Sequence, residues 1–225
     1  MGSLLLSTSG GEHKDVAILY LPDIFGIWQN SKLMADQFAA CGYHCLVADT
    51  FNGDATTEGS NGKNPHTKEV DPIVEAAIQF LKQEYGVAKI GAVGYCFGGK
   101  YVVRHYKSGI DVGLIAHPAG VEKEELAAIQ GPLSIAATET DSIFPAEKRH
   151  QTEAILAKRG VYAIRRIIKP CFLLSSVQFQ SLDNSSGSLS IIRSLALFNK
   201  IKNPNSHNHL ENKISAYNLS GLAQR

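Results

Sequence analysis

Apolar residues in this chain are grouped in two ways. Short continuous blocks, rich in Val, Ile and Leu, occupy residues 16–21, 44–48, 89–93, 112–116 and 132–137. Blocks this short and apolar on both faces predict strands buried within a parallel sheet. Between them the period changes to that of a helix. Met34, Phe38 and Cys41 share one face, and Val74, Ala77, Ile78 and Leu81 recur at i, i+3, i+4 and i+7. Asp71-Pro72 reads as the opening of that second helix, a cap followed by Pro in the first turn. A further helical stretch covers residues 153–158. Strand and helix alternating at this spacing predict an α/β fold of three layers, with a mostly parallel sheet covered on both sides. Ligands in such sheets sit beyond the carboxyl ends of the strands, which is where Asp23, Cys96, His117 and Asp141 fall.

The strand at 89–93 runs straight into Gly94-Tyr95-Cys96-Phe97-Gly98-Gly99-Lys100. A nucleophile framed by glycines two positions to either side lets the chain reverse sharply from strand to helix, because a side chain at either Gly would collide with neighbouring elements. The spacing predicts a nucleophile elbow carrying sulfur in place of oxygen. The helix that follows would aim its amides and dipole at the thiol, favouring thiolate and offering the Phe97 N–H to an oxyanion. A buried structural cysteine in a Gly-rich turn is the competing reading of the same residues.

Composition narrows the field. Lys and Arg number 22 against 21 Asp and Glu, so the overall charge gives no reason to expect a nucleic-acid partner. Four cysteines, at 41, 45, 96 and 171, lack paired metal-ligand spacing and fit a reducing compartment. The apolar run at Leu4 to Leu6 is too short for a signal-peptide core, and no stretch of about eighteen apolar residues exists to span a membrane. The expectation is a cytoplasmic protein with no membrane partner. Nothing in the sequence sets an oligomeric state.

Five separated motifs then carry a resemblance to the dienelactone hydrolase family, in particular its fungal-type branch. They are Leu21-Pro22-Asp23-Ile24-Phe25-Gly26, Phe51-Asn52-Gly53-Asp54, the Cys96 segment, Ala116-His117-Pro118, and Glu139-Thr140-Asp141-Ser142-Ile143-Phe144-Pro145. The resemblance implies an α/β-hydrolase fold and opening of a small-molecule ester or lactone through a thioester, with no metal and no organic cofactor. It implies Cys96 as nucleophile, Asp141 as the acid that orients a histidine, and the Ile24 and Phe97 amides as the oxyanion hole. Asp23 falls where better-known members carry a glutamate near the resting thiol. His117, which follows an apolar strand and precedes Pro118, is read either as lining the pocket or as a hydrogen-bonded histidine at a strand end. A helix cap near Pro145 is the alternative role for Asp141.

The resemblance covers roughly residues 16–162, and the expected domain is 1–162. Past Tyr162 the family's next strand, its Gly-x-x-His-Gly-Phe loop with the triad base, and its closing helix find no match in this sequence. Charge changes sign at the same place: residues 1–162 carry a net of −5 and residues 163–225 a net of +6. Ser and Asn contribute 11 and 7 of the last 63 residues, without a sustained helical face. Residues 163–225 therefore read as an atypical, poorly ordered tail, leaving the fold incomplete or disordered at its C-terminus. The late histidines, His207 and His209, lie in a polar, Asn-rich setting and are weak candidates for the base. Three classes stay open: an impaired thiol esterase or lactonase, an inactive product of a frame or splice change, and a thiol sensor or binding module on the same scaffold.

Overall fold

The computed structural model describes residues 4–7, 13–55 and 67–159, and the backbone of residues 163–168. Seven strands form one sheet: β1 (Leu4–Ser7), β2 (His13–Leu21), β3 (Tyr43–Ala48), β4 (Lys89–Tyr95), β5 (Val112–Ala116), β6 (Leu133–Thr138) and β7 (Ala163–Ile168). Their order is β1-β3-β2-β4-β5-β6-β7. Every pairing is parallel except that of β1, which runs antiparallel to β3. Helices α1 (Gln29–Ala40), α2 (Thr67–Gln83), α3 (Phe97–Arg104), α4 (Lys123–Ala127) and α5 (Ala146–Lys158) connect the strands, with a 3-10 turn at Tyr106–Ser108. Among the described residues no helix is long and apolar enough to cross a membrane.

The five blocks predicted as strands are β2 to β6. Ala17, Leu19, Leu21, Ile90, Ala92, Ile115, Leu133 and Ala137 join one buried core with Val74, Ala77, Ile78 and Leu81 of α2. Burying each of the larger aliphatic side chains contributes about 1.5–3 kcal/mol, so the central strands hold the site's floor rigidly.

Three expectations need correction, and one strand is not anticipated at all. The chain forms a strand, β1, ahead of β2, and its edge pairing with β3 runs from Leu4↔Ala48 to Ser7↔Cys45. A strand also follows α5: β7 pairs in parallel with β6 from Leu133↔Ala163 to Thr138↔Ile168, so the sheet continues beyond the expected break at 162. The Arg165-Arg166 pair hides that strand from an apolar-run reading, and β7 is the outermost strand on that side among the described residues. Residues 169–225 lie outside the described residues. On α1 the buried face is Ser31, Ala35, Phe38 and Ala39, whereas Cys41 is exposed. Small residues let the helix axis approach the sheet closely, a requirement that hydrophobicity alone does not reveal. Finally, α2 is already helical at Thr67, so Pro72 sits inside the helix. Asp71 is committed to Arg104 and His105 instead of opening the helix.

Candidate active site

Strand order places the site. From β2 the chain moves outward to β3, then crosses back to β4 on the other side of β2, so connection direction reverses between β2 and β4. Such a switch opens a crevice at the carboxyl ends of the two strands. Leu21 of β2 pairs with Gly94 of β4, and two residues beyond each member of that pair stand Asp23 and Cys96. Neighbouring strands are about 4.8 Å apart, so both residues emerge into the crevice side by side. On the far side of β4, Tyr95 pairs with Ala116, and Ala116 with Ala136. His117 and the loop bearing Asp141 thus follow on adjacent strands.

The elbow is sterically compelled. Cys96 has φ 50° and ψ −110°, a strained conformation for a residue with a side chain, costing roughly 1–3 kcal/mol. A Cβ on Gly94 would stand 2.5 Å from the Gly98 carbonyl oxygen. One on Gly98 would run into the Leu21 carbonyl, and one on Gly99 would stand 3.0 Å from the Pro118 Cβ. The three glycines therefore let the start of α3 press against the ends of β2 and the turn after β5. Hydrogen bonds fix the rest: the Cys96 N–H donates to the Ala116 carbonyl at 3.0 Å, and the Cys96 carbonyl accepts from Gly99 at 3.1 Å and Ala119 at 3.0 Å. Residues 116–119 are tied to the elbow by two of these bonds. The His117 N–H in turn donates to the Ala136 carbonyl at 2.9 Å, and its φ of 37° is a second non-glycine strain at the site.

The two carboxylates are held in matching ways. Asp23 Oδ1 accepts the Phe25 N–H at 2.9 Å, and Asp141 Oδ1 accepts the N–H groups of Ile143 at 2.8 Å and Phe144 at 2.9 Å. Asp141 therefore stabilises its own turn. It does not cap α5, whose N-cap position is Pro145. The second oxygen of each carboxylate has no hydrogen bond among the described residues. The Asp141 loop is braced by Arg149 of α5. Its buried guanidinium donates through Nη1 to the carbonyls of Thr138 and Glu139, the latter at 3.4 Å, and its Nε is left without a partner. No sequence signal announces this brace, because it joins a helix to carbonyls ten and eleven residues away.

Charge at the site runs against the expectation of a resting thiolate. Burial pushes the Cys96 thiol up; the Phe97 N–H bonded to the sulfur pulls it down; the charges of Asp23 and Asp141 push it up again. The net direction is upward, so at neutral pH the resting sulfur is protonated. The helix N-terminus does contribute as expected, but one turn's amides are outweighed by desolvation and two like charges. Burial lowers the His117 pKa from its ordinary value, against the opposing pull of Asp141 and Asp23, and the ring is neutral at neutral pH. Beside them the Tyr95 ring is stacked on Tyr20 at 5.6 Å and tilted against His117 at 6.3 Å.

Of the residues singled out from sequence, Asp23, Ile24, Cys96, Phe97, His117 and Asp141 all lie at the carboxyl end of the sheet, and the Ile24 N–H has no hydrogen-bond partner among the described residues. His207 and His209 lie outside the described residues.

A glycine-framed elbow at the switch point of a mostly parallel sheet defines an α/β-hydrolase. The chain belongs to the dienelactone hydrolase family, whose family model matches residues 3–165. It is 47% identical over 157 residues to hydrolase pyvD of Aspergillus violaceofuscus, covering 64% of this chain and 63% of that protein. It is 45% identical over 164 residues to hydrolase tropI of Talaromyces stipitatus, covering 65% of each. The matched segment thus spans just under two-thirds of these curated relatives. Among solved structures, a putative dienelactone hydrolase from Klebsiella pneumoniae superposes with a TM-score of 0.66 at 12% identity, over 88% of this chain and 100% of that one. At that identity the likeness establishes the fold.

Proposed function

We propose that this chain acts as a thiol-dependent hydrolase of small carboxylic esters or lactones, able to acylate and slow to turn over. One observation carries the reading: a cysteine in strained backbone at the switch-point crevice, with Asp23, His117 and Asp141 on the flanking strand ends. The chemistry is acyl transfer. A base takes the Cys96 proton, the sulfur attacks the ester carbonyl, and the Ile24 and Phe97 amides receive the oxyanion. The tetrahedral species collapses with loss of the alcohol, which leaves with a proton, and water then cleaves the thioester to release the acid and regenerate the thiol. Phe97 already donates to the resting sulfur. That hydrogen bond must be exchanged for the oxyanion as the reaction begins.

Without the family's His-bearing loop, acylation loses general acid-base assistance, which is typically worth about 10²- to 10⁴-fold. An activated aryl ester should therefore give a burst of about one equivalent of phenol followed by slow release. Cys96→Ala should eliminate the burst; a burst that survives the substitution removes the proposal. A second reading is favoured by the electrostatic coupling of His117 to Asp141 and by its neutral ring, the protonation state a general base needs. On that reading turnover is steady and His117→Ala abolishes it. Loss of turnover in His207→Ala or His209→Ala instead assigns the base to the C-terminal segment.

A further inference from the structure

We infer that Ser31 is a positioning residue for the oxyanion hole, its buried hydroxyl holding the turn that carries the Ile24 N–H through a hydrogen bond to the Gly26 carbonyl. The inference deepens the hydrolase reading above and rests on it for the role of Ile24. Its physical basis is the way the polar groups of the turn are used. The Gly26 N–H donates to the Asp23 carbonyl at 3.0 Å, closing a four-residue turn, and the Phe25 N–H donates to Asp23 Oδ1 at 2.9 Å. The Ile24 N–H, at the second position of that turn, has no partner among the described residues. No bond of its own fixes where it points, so its direction depends on what holds the turn from outside.

Two groups at the start of α1 hold it through one carbonyl oxygen. Gly26 O accepts the Trp28 N–H at 2.9 Å and the Ser31 hydroxyl at 2.8 Å. The first bond is local and moves with the turn, whereas the second reaches back five residues from inside a helix packed on the sheet. Ser31 is 4% exposed and shares the buried face of α1 with Ala35, Phe38 and Ala39. Close packing of that face needs only a small residue, a need that Ala35 meets with no polar atom. Burying a hydroxyl costs desolvation unless it is hydrogen-bonded, so the hydroxyl at 31 is explained by its bonds and not by its size. It also shares a hydrogen bond with the buried Tyr20 phenol of β2. Tyr20, Ser31 and Gly26 thus tie the turn to the strand from which it emerges. On the turn's other flank Gly26 has φ 65°, and a Cβ there would stand 2.8 Å from the Ala55 Cβ and 3.6 Å from the Phe51 ring. Phe51 packs in turn on Phe97, whose amide the same reading makes the second oxyanion donor, with 4.9 Å between ring centroids. One wall seats the turn and one hydroxyl pins it.

Ser31→Ala removes the pin and leaves the wall. Two reactions at Cys96 then separate the oxyanion hole from the thiol. Acylation by an activated aryl ester puts negative charge on the carbonyl oxygen and draws on the Ile24 amide. Alkylation by iodoacetamide does not: the sulfur bonds to the methylene carbon, iodide leaves and the thiol proton passes to solvent. Losing an oxyanion donor outright costs about 10²- to 10³-fold in rate, so a donor that is loosened but present should cost about tenfold. Stopped-flow phenol release from the full chain carrying Ser31→Ala should be slower by about that factor, with Cys96 alkylation within about twofold of the parent. Ser31→Thr keeps the hydroxyl and should recover most of the burst rate. Residue-level hydrogen exchange should quicken at the Phe25, Gly26 and Trp28 amides of Ser31→Ala, while those of Cys96 and Ala119 stay protected.

A Ser31→Ala burst as fast as the parent's overturns the inference and leaves the hydrolase reading standing. Equal losses of burst and alkylation overturn it too, because the thiol itself would then have moved. So does a Ser31→Thr variant whose turn exchanges as slowly as the parent's but whose burst is as slow as that of Ser31→Ala, since the hydroxyl would not be the cause. Absence of a burst from the parent chain defeats the hydrolase reading. Exchange then decides for Ser31 alone: unchanged rates in Ser31→Ala overturn the inference, and quickened rates at the turn keep Ser31 as its anchor.

Discussion

Two clusters of ionisable groups flank helix α3, one at each end, and both contain a histidine that burial keeps neutral. At the C-terminal end Arg104 donates through Nε and Nη2 to both oxygens of Asp71, and through Nη1 to Glu125. His105 completes the cluster, with Nε2 3.0 Å from Asp71 Oδ1 and Nδ1 3.3 Å from the Ser108 hydroxyl. Opposite charges meet there, and the cation sits at the end of the helix dipole that favours it. At the N-terminal end Cys96, Asp23 and Asp141 are groups that repel one another when ionised, and one oxygen of each carboxylate accepts no hydrogen bond among the described residues. The first cluster has spent its bonding capacity on itself. The second keeps capacity in reserve and carries backbone strain at Cys96 and His117. Titration alone does not separate them, since the pKa values of His105 and His117 are both lowered. Satisfied partners separate structure from chemistry here.

The sharpest way to break this comparison is Gly98→Ala. The added Cβ would strike the Leu21 carbonyl and stand 2.7 Å from the Pro22 oxygen, both backbone atoms that cannot swing aside. Relief requires α3 to lift from β2, which moves Cys96 away from Asp23 and from the Ile24 amide. The expected result is loss of the ester burst by about 100-fold or more together with a destabilisation of about 1–3 kcal/mol, read by stopped-flow phenol release and urea unfolding. A variant with a normal burst would show that the elbow does not depend on this close approach.

Arg104→Met tests the other end. Removing the guanidinium strands the carboxylate of Glu125, whose side chain is 8% exposed, and leaves Asp71 with His105 alone. Arg104 is itself 29% exposed and Asp71 23%, so solvent screens part of the loss. About 1–2 kcal/mol of stability should disappear, with Cys96 alkylation unchanged within twofold. If alkylation of Cys96 changed tenfold in a variant that still unfolds cooperatively, the two ends of α3 would be coupled and the separation drawn above would fail.

How much of this was legible in the sequence follows the same division. Strands β2 to β6 were readable because burial on both faces demands unbroken apolar runs, and the elbow was readable because steric exclusion demands glycine at 94 and 98. The outermost described strands carry weaker signals: β1 has only four residues and β7 holds two arginines. The buried face of α1 was misread because Ala35 and Ala39 pack for their smallness, while Met34 drew attention by its size. At the site, the positions of Asp23, Cys96, His117 and Asp141 were foreseeable from strand ends. The direction of the Cys96 titration was not, because desolvation and the approach of two carboxylates from other strands are properties of the assembled fold. The Arg104 cluster was invisible for the same reason: Asp71 lies 33 residues away along the chain.

The smallest expected effect separates the two histidines themselves. A histidine whose folded pKa lies below its unfolded value, near 6.5, takes up its proton more readily in the unfolded chain. The unfolded state then binds more protons through the window from about 6.5 downward, so stability is fully present above that window and falls as the pH drops through it. Both His105 and His117 contribute in this direction. The slope each adds cannot exceed about 1.4 kcal/mol per pH unit. His117→Asn removes the contribution of the crevice and leaves that of the Arg104 cluster, so stability measured by urea unfolding between pH 5 and 7.5 should fall less steeply with acid than in the parent chain. His105→Asn should flatten the curve as well, but with a loss of absolute stability at pH 7.5, because it also breaks the 3.0 Å contact to Asp71. No hydrogen bond from the His117 ring to another residue's side chain is present among the described residues, so His117→Asn should cost little at pH 7.5. Equal losses at pH 7.5 for the two variants would mean that the crevice histidine is as firmly bonded as the structural one, and the contrast between a spent cluster and a reserved one would not hold.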